Sequence, residues 1–455
     1  MLDSADTGTG KRLRLAIVST YDELCGIAGY TRALETQLRE HMDIEVFDLD
    51  QYLLRSNHKR VKRLGDKHIE DIARRLCEFD SVNIQLEHGT LGRRPNQITR
   101  RLNMLLHASP CVSVTFHTIL SDGPLPWETM WRMTKTGDVS GLISTVGENI
   151  RSGILSQSIY KTLRKLGNTK AVRTIVHTKR DMRLLRDVHG LPEVYHHPLS
   201  YVSSEKAKAI RESTSRENFP ILASLPADAK FIGTFGFLSP YKGFESALQA
   251  LRYLPDDYHL LIFGGIHPQS IQRQQPIDGY IAKLLKLARI GETLLNDFKS
   301  SGATMQISSD VASGDLLRRH PQDLHERIHF MGVLKDADFL AAMAVCDCVV
   351  LPYLEVGQSS SGPIAMALEM GCRVLASRTA AFLQFDRYHP GQVEYFDIGN
   401  YAELAERIRA EGSLNRASRT LAYNTKTNAE LYVKANTPPD KTNSSKSFFK
   451  QKALS

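Results

Sequence analysis

The sequence predicts an α/β protein made of two doubly wound, parallel-sheet halves. Three observations predict it. An apolar run at residues 13–18, a glycine-bearing turn, a helical stretch and a second apolar run at 44–47 make an opening βαβ unit. A second alternation of short apolar runs and helical stretches begins near residue 229, after a polar joining stretch at 200–228. Residues 348–353 then read as a buried strand that enters Gln358-Ser-Ser-Ser-Gly-Pro363, a short apolar helix ending near Gly371, and a further strand at 374–376.

In the first half, residues 1–11 read as a loose leader and Gly26-Ile-Ala-Gly29 as a turn before a helix at 31–40. Further strands are expected at 81–85, 112–116 and 173–176, with helices at 67–78 and 95–106 and added helices within 121–165. In the second half, strands are expected at 230–234, 259–263, 327–330 and 349–351, and helices at 244–251 and 336–344. Residues 266–322 read as a polar insertion carrying a helix at 279–288. Helices within 401–433 close the fold, and 434–455, rich in Lys, Ser, Thr, Asn and Pro, reads as a disordered tail.

The 455 residues suffice for two domains, and 42% hydrophobic content supports buried cores. A formal charge of +8, from 58 basic and 50 acidic residues, suits anionic small ligands or an acidic membrane surface without requiring nucleic acid. Six cysteines with no CxxC and no metal-like spacing to histidine read as reduced residues of a cytoplasmic protein. The N-terminus lacks the pattern of a signal peptide, and no apolar run approaches the roughly 20 residues that span a bilayer.

The chemistry-bearing residues gather where strands end. The start of the helix after Ser361 offers backbone amides and small hydroxyls to an anion. In Gly233-Thr-Phe-Gly-Phe-Leu-Ser-Pro-Tyr-Lys-Gly243, Gly236 permits close backbone approach and Lys242 can reach a diphosphate; the order Lys-Gly rules out a P-loop. In Cys25-Gly-Ile-Ala-Gly-Tyr-Thr31, Gly26 and Gly29 would admit a ligand beside a helix start, or simply make a tight turn. Val82-Asn-Ile-Gln-Leu-Glu-His-Gly89 and Ser113-Val-Thr-Phe-His-Thr118 run strands straight into polar residues, so Gln85, Glu87, His88 and His117 are expected to face a cleft at the strand ends. A buried, hydrogen-bonded histidine is the plainer reading of each alone, and His177 carries that reading more strongly. Asp48-Leu-Asp50 and Asp336-Ala-Asp338 are weak candidates for a divalent metal, and no metal site is expected. His58-Lys-Arg-Val-Lys-Arg63, Arg93-Arg94 and Arg100-Arg101 read as solvated faces, with an anionic membrane surface as the alternative.

Taken together, Cys25 to Thr31, the strand ending at His117, Ser239-Pro-Tyr-Lys-Gly243 and Pro352 to Ser377 resemble the retaining glycosyltransferases of family GT4, the group 1 glycosyltransferases, over about residues 13–430. The resemblance implies a GT-B fold: two Rossmann-like domains facing a central cleft. Residues 1–200 would bind acceptor and 201–433 a nucleotide-diphosphate sugar, with the final helices returning to the first domain. It implies that Lys242 contacts the donor diphosphate, that His117 lies near the transferred sugar, and that Gly26 and Gly29 approach donor and acceptor. Gln85, Glu87 and His88 fall on the acceptor side. Two departures stand out. Phe237 occupies the place of a family arginine, and the glutamate pair spaced E-x7-E is absent, Gln358 and Met366 or Ser359 and Ala367 standing there according to register. Gln358, Ser360, Ser361 and Gly362 are the expected substitutes.

The expected activity is therefore sugar transfer from a nucleotide-diphosphate donor to a glycan, lipid-linked or other acceptor, as in polysaccharide assembly. Configuration would be retained and no cofactor or metal used, in the cytoplasm or at the inner membrane face. The departures keep a catalytically weak nucleotide- or sugar-binding protein open as the alternative, with a GT-B-like epimerase behind it.

Overall fold

The computed structural model describes residues 12–23, 25–119, 139–266, 279–289, 324, 326–410 and 421–439. The expected leader, most of the 266–322 insertion and the tail beyond residue 439 lie outside them. The chain divides into two compact units: one holds the described residues up to Leu199 together with those from Thr425 onward, the other Ser200–Asn424.

Each unit carries a six-stranded parallel sheet. In the first the strands are β1 (Arg14–Ser19), β2 (Asp43–Asp48), β3 (Ser81–Leu86), β4 (Val112–Phe116), β5 (Val172–Val176) and β6 (Val194–His196), in the order β2-β1-β3-β4-β5-β6. In the second they are β7 (Lys230–Phe235), β8 (Tyr258–Phe263), β9 (Ile328–Gly332), β10 (Cys348–Leu351), β11 (Val374–Ser377) and β12 (Glu394–Phe396), in the order β12-β11-β10-β7-β8-β9. The order reverses between β1 and β3 in one sheet and between β7 and β10 in the other. Loops leaving the carboxyl ends of strands at such a reversal are splayed to opposite faces and leave a crevice for ligand.

The central strands read as continuous apolar runs because helices cover both faces. In the second unit, Ile232, Leu260, Ile262 and Val350 pack on one side with Phe244, Leu248 and Leu404. Phe231, Phe235, Leu261, Phe263 and Val349 pack on the other with Met343 and Ile364. Each such buried side chain contributes about 1.5–3 kcal/mol relative to exposure. In the first unit, even-numbered residues of β3 and β4, including Val82, Ile84, Val112 and Val114, enter an apolar core. The odd-numbered Asn83, Gln85, Ser113 and Thr115 are also buried, on the opposite face. The helix Thr425–Asn436 covers them, packing against β3, β4 and β5.

Several expectations are corrected. Gly26-Ile-Ala-Gly29 is no turn: the helix runs Gly26–Leu38, because the Cys25 thiol accepts from Ala28 N (3.4 Å) and caps it five residues earlier than expected. The helix expected at 67–78 runs Lys59–Leu76, since Lys and Arg are good helix formers and buried Gly65 continues the stripe of Ile69, Ile72 and Leu76. Arg101 is not on a solvated face. Its guanidinium is fully buried, donating to Asp66, Leu54 O and Leu91 O (2.8–2.9 Å). The joining stretch at 200–228 holds helices Ser204–Ser213 and Pro220–Ala223, and the expected tail begins inside a helix that continues to Asn436.

Candidate functional site

In the second unit the loops after β7 and β10 flank the reversal of strand order. The first ends in a single 3-10 turn, Pro240–Lys242, closed by Gly243 at φ +63°. A Cβ on Gly243 would lie 2.0 Å from the Pro352 carbonyl oxygen, so only glycine lets the loops approach this closely. Leu354 N donates to Tyr241 O (2.7 Å), joining them again.

These contacts put Lys242 against Tyr353. The lysine is 6% exposed; its ammonium donates to the Tyr353 hydroxyl and lies 3.9 Å from the centre of that ring and 5.1 Å from that of Tyr241. No carboxylate pairs with it among the described residues. Burial pulls its pKa down to about 7. Gly236, at φ +122°, underlies the side chain: a Cβ there would stand 3.2 Å from Lys242 Cε and 3.3 Å from Nζ.

Ser361 Oγ donates to the same Tyr353 hydroxyl (3.3 Å), whose own ionisation burial pushes far upward. Turned that way, the Ser361 side chain makes no cap bond to the helix Gly362–Glu369. Gln358, half-buried, bonds to Tyr241, and Ser360 is half-buried beside it in sequence. Gly362 has a structural reason: a Cβ would meet Tyr201 Oη at 2.7 Å. At the far end of that helix, Glu369 accepts from Ser200 Oγ (2.6 Å) and from Tyr201 N and Val202 N (2.9–3.1 Å). Burial pushes the Glu369 carboxyl up to about 7, against the pull of these donors.

In the first unit, His117 follows β4 and is partly exposed. Its Nε2 meets Gln85 Oε1 at 2.7 Å, and its ring lies 5.1 Å from that of His177 and 5.5 Å from Tyr30. Burial, and then His177, hold its pKa well below the usual histidine value. Two acceptor-side expectations are corrected. Gln85 is 1% exposed and turned into the polar layer beneath the last helix. His88 is 6% exposed against Phe116, with neither ring nitrogen bonded among the described residues and its pKa lowered to about 4 by burial. Glu87 accepts from Thr118 Oγ1 (2.7 Å), and burial raises its pKa. His177 Nδ1 bonds His197 O (3.1 Å) while Nε2 is buried with no partner among the described residues. Gly26 is exposed, and a Cβ there would meet nothing within 4 Å. Gly29 lies within the same first turns, half-buried.

Asp48 accepts from Tyr21 N (2.6 Å), Asp50 caps the helix Gln51–Arg55, and Asp336 and Asp338 sit in a helix first turn. No group of three or more His, Cys, Asp and Glu able to hold a metal occurs among the described residues. No described helix is long and apolar enough to cross a membrane. Tyr241, Tyr353 and Tyr30 carry no expectation from sequence, although all three lie inside the motifs described above.

No protein-family model matches the chain, and no curated protein matches it in sequence. Its fold matches solved structures over nearly its whole length. The UDP-forming α,α-trehalose-phosphate synthase of Burkholderia xenovorans superposes with a TM-score of 0.55 at 12% identity, covering 93% of this chain and 98% of that one. HepE of Anabaena, solved with UDP and glucose, gives 0.52 at 15%, covering 92% and 95%. The sucrose-phosphate synthase of Thermosynechococcus elongatus gives 0.51 at 14%, covering 98% and 100%. The fold is GT-B.

Proposed function

We propose that this protein is a glycosyltransferase that binds a nucleotide-diphosphate sugar in its second unit and transfers the sugar with retention of configuration, without a metal. The observation that carries the reading is Lys242: a buried amine with no carboxylate partner among the described residues, held by a tyrosine beside a helix start that Ser361 does not cap, where the strand order reverses. A diphosphate arriving there supplies the missing counter-charge. As the sugar leaves, negative charge grows on the diphosphate, and the ammonium and helix amides stabilise it more than they stabilise the ground state. HepE, which shares the fold, is solved with UDP-glucose.

In the first unit, His117 would orient a sugar hydroxyl, and Glu87 with the open helix start at Gly26 and Gly29 would meet the glycan or lipid-linked acceptor. Lys59, Arg60, Arg63 and Lys67 are exposed on one helix and suit an anionic membrane surface, which would place the protein at the cytoplasmic face.

Calorimetric titration with UDP, GDP, ADP and their sugars, with and without EDTA, tests the donor. One nucleotide bound selectively and insensitively to EDTA is the expected result; no binding to any would overturn the reading. Proton NMR of the product's anomeric hydrogen tests retention. Tight binding without turnover would favour a binding protein, the reading that Phe237 and the missing glutamate pair support.

A further inference from the structure

His117 ends a directed chain of hydrogen bonds that starts on the last helix. Asn436 Nδ2 donates to the backbone carbonyl of Tyr432 (2.8 Å), which cannot donate, so the amide orientation of Asn436 is fixed. Its Oδ1 must then accept, and Ser113 Oγ donates to it (2.7 Å). Ser113 has spent its only proton and accepts from Asn83 Nδ2 (2.7 Å). That fixes Asn83, whose Oδ1 accepts from Gln85 Nε2 (2.5 Å). Gln85 Oε1 is left facing His117 Nε2 at 2.7 Å, and the only arrangement that satisfies it puts the proton on Nε2. Every link from Asn83 to Asn436 is buried, at 0–1% exposure, so water does not blur the sequence of donors and acceptors.

We infer that Asn436, through Ser113, Asn83 and Gln85, sets the tautomer of His117, leaving Nδ1 as a lone-pair acceptor toward a ligand hydroxyl. His117 is the residue that would touch ligand; the other four are positioning residues. The tautomer stands on the hydrogen bonds alone, whereas its use toward a sugar hydroxyl rests on the proposed transfer. An Nδ1 acceptor selects a group that can donate, as a sugar hydroxyl does, and disfavours a carbonyl or a carboxylate at that position. Burial and His177 keep the ring neutral, so the preference persists at neutral pH.

The test is two-bond 15N–1H correlation NMR on the whole protein with ring-15N histidine, the His117 signals being those lost in His117→Gln. The unmodified protein is expected to show a protonated Nε2 and an unprotonated Nδ1 from pH 8 to pH 6. Ser113→Ala, which leaves Asn83 Nδ2 the longer bond to Thr115 Oγ1 (3.1 Å), and Asn436→Ala each remove a link, and each should raise the share of the Nδ1–H form by up to about tenfold, the worth of one hydrogen bond in an equilibrium. An Nδ1–H ring in the unmodified protein overturns the inference, and needs no variant to fold. An unchanged tautomer in a folded Ser113→Ala protein overturns the role of the last helix. The expected tautomer without transfer from any nucleotide sugar would remove the proposed function and leave the inference standing.

Discussion

Lys242 and Tyr353 form a cation–π pair, the ammonium 3.9 Å from the ring centre and bonded to the ring's own hydroxyl. They come from loops after two neighbouring strands, and the pair closes only because Gly243 lets one loop lie on the carbonyl of Pro352. A quadrupole and a phenol hold the charge without neutralising it, as a carboxylate would. That leaves the lysine available to an anion.

Lys242→Met should weaken nucleotide-diphosphate binding by about 30- to 100-fold, the worth of a charged hydrogen bond. The folded pKa of about 7 lies below the 10.5 of an ordinary lysine. If only the protonated amine binds diphosphate, affinity in the unmodified protein should fall about tenfold between pH 6 and pH 8, and Lys242→Met should abolish that slope. For stability the sign is opposite. The unfolded chain holds this proton more tightly between 7 and 10.5, so the free protein should gain stability as pH rises across that window. Calorimetry at three pH values decides the first point and urea unfolding the second.

Gly236→Ala and Gly243→Ala should separate binding from folding. The second places a Cβ 2.0 Å from a backbone oxygen and should lower the urea midpoint sharply, by well over the about 1–3 kcal/mol of left-handed strain alone. The first carries backbone strain too, at φ +122°, but its Cβ meets only the movable end of Lys242, so it should lower the urea midpoint less than the second and weaken nucleotide affinity besides. A urea midpoint lowered as far by Gly236→Ala as by Gly243→Ala, with nucleotide affinity unchanged, would contradict this division.

Gly26→Ala has room in the structure and sits in a helix first turn, where alanine is the better former. The variant should match or exceed the unmodified protein in stability, by up to about 1 kcal/mol. Turnover should nevertheless fall several-fold, because the open space is what the proposed ligand uses. Thermal melting beside kcat/KM gives the comparison, and unchanged kcat/KM would remove Gly26 from the site.

Glu369→Gln should flatten the pH dependence of stability. The folded state holds the Glu369 proton up to about pH 7, the unfolded chain only to 4.5. This contribution is present below 4.5 and is lost as pH rises to 7. The variant should also cost about 1–3 kcal/mol, since one side-chain oxygen cannot accept from Ser200, Tyr201 and Val202 together. Urea midpoints at pH 5 and pH 8 test both; a slope unchanged in the variant would assign it elsewhere.

The strand cores were legible because a parallel strand covered on both faces is a plain apolar run, as at Cys348–Leu351. The edge strands β6 and β12, three residues each, carry too little pattern to be seen. Gly26 and Gly29 read as a turn because the cap that starts their helix is a cysteine, an unusual choice. Lys242 and Ser361 were legible as strand-end chemistry; Tyr353, which joins them, was not, since an aromatic beside a strand reads as packing. Gln85 is expected to face the cleft because nothing near it in sequence shows its partners: the residue that orders its neighbours, Asn436, lies more than 300 positions away.

The helix Thr425–Asn436 is the last described helix of the chain and belongs to the first unit. During synthesis, β3 and β4 leave the ribosome long before it does, and Asn83, Gln85, Ser113 and Thr115 wait for their cover. The second unit holds its whole sheet within one continuous stretch and can close earlier. The cover of the first unit's polar layer is therefore the last described part of the chain to be made, and on the inferred relay His117 takes its final proton arrangement only when that helix docks.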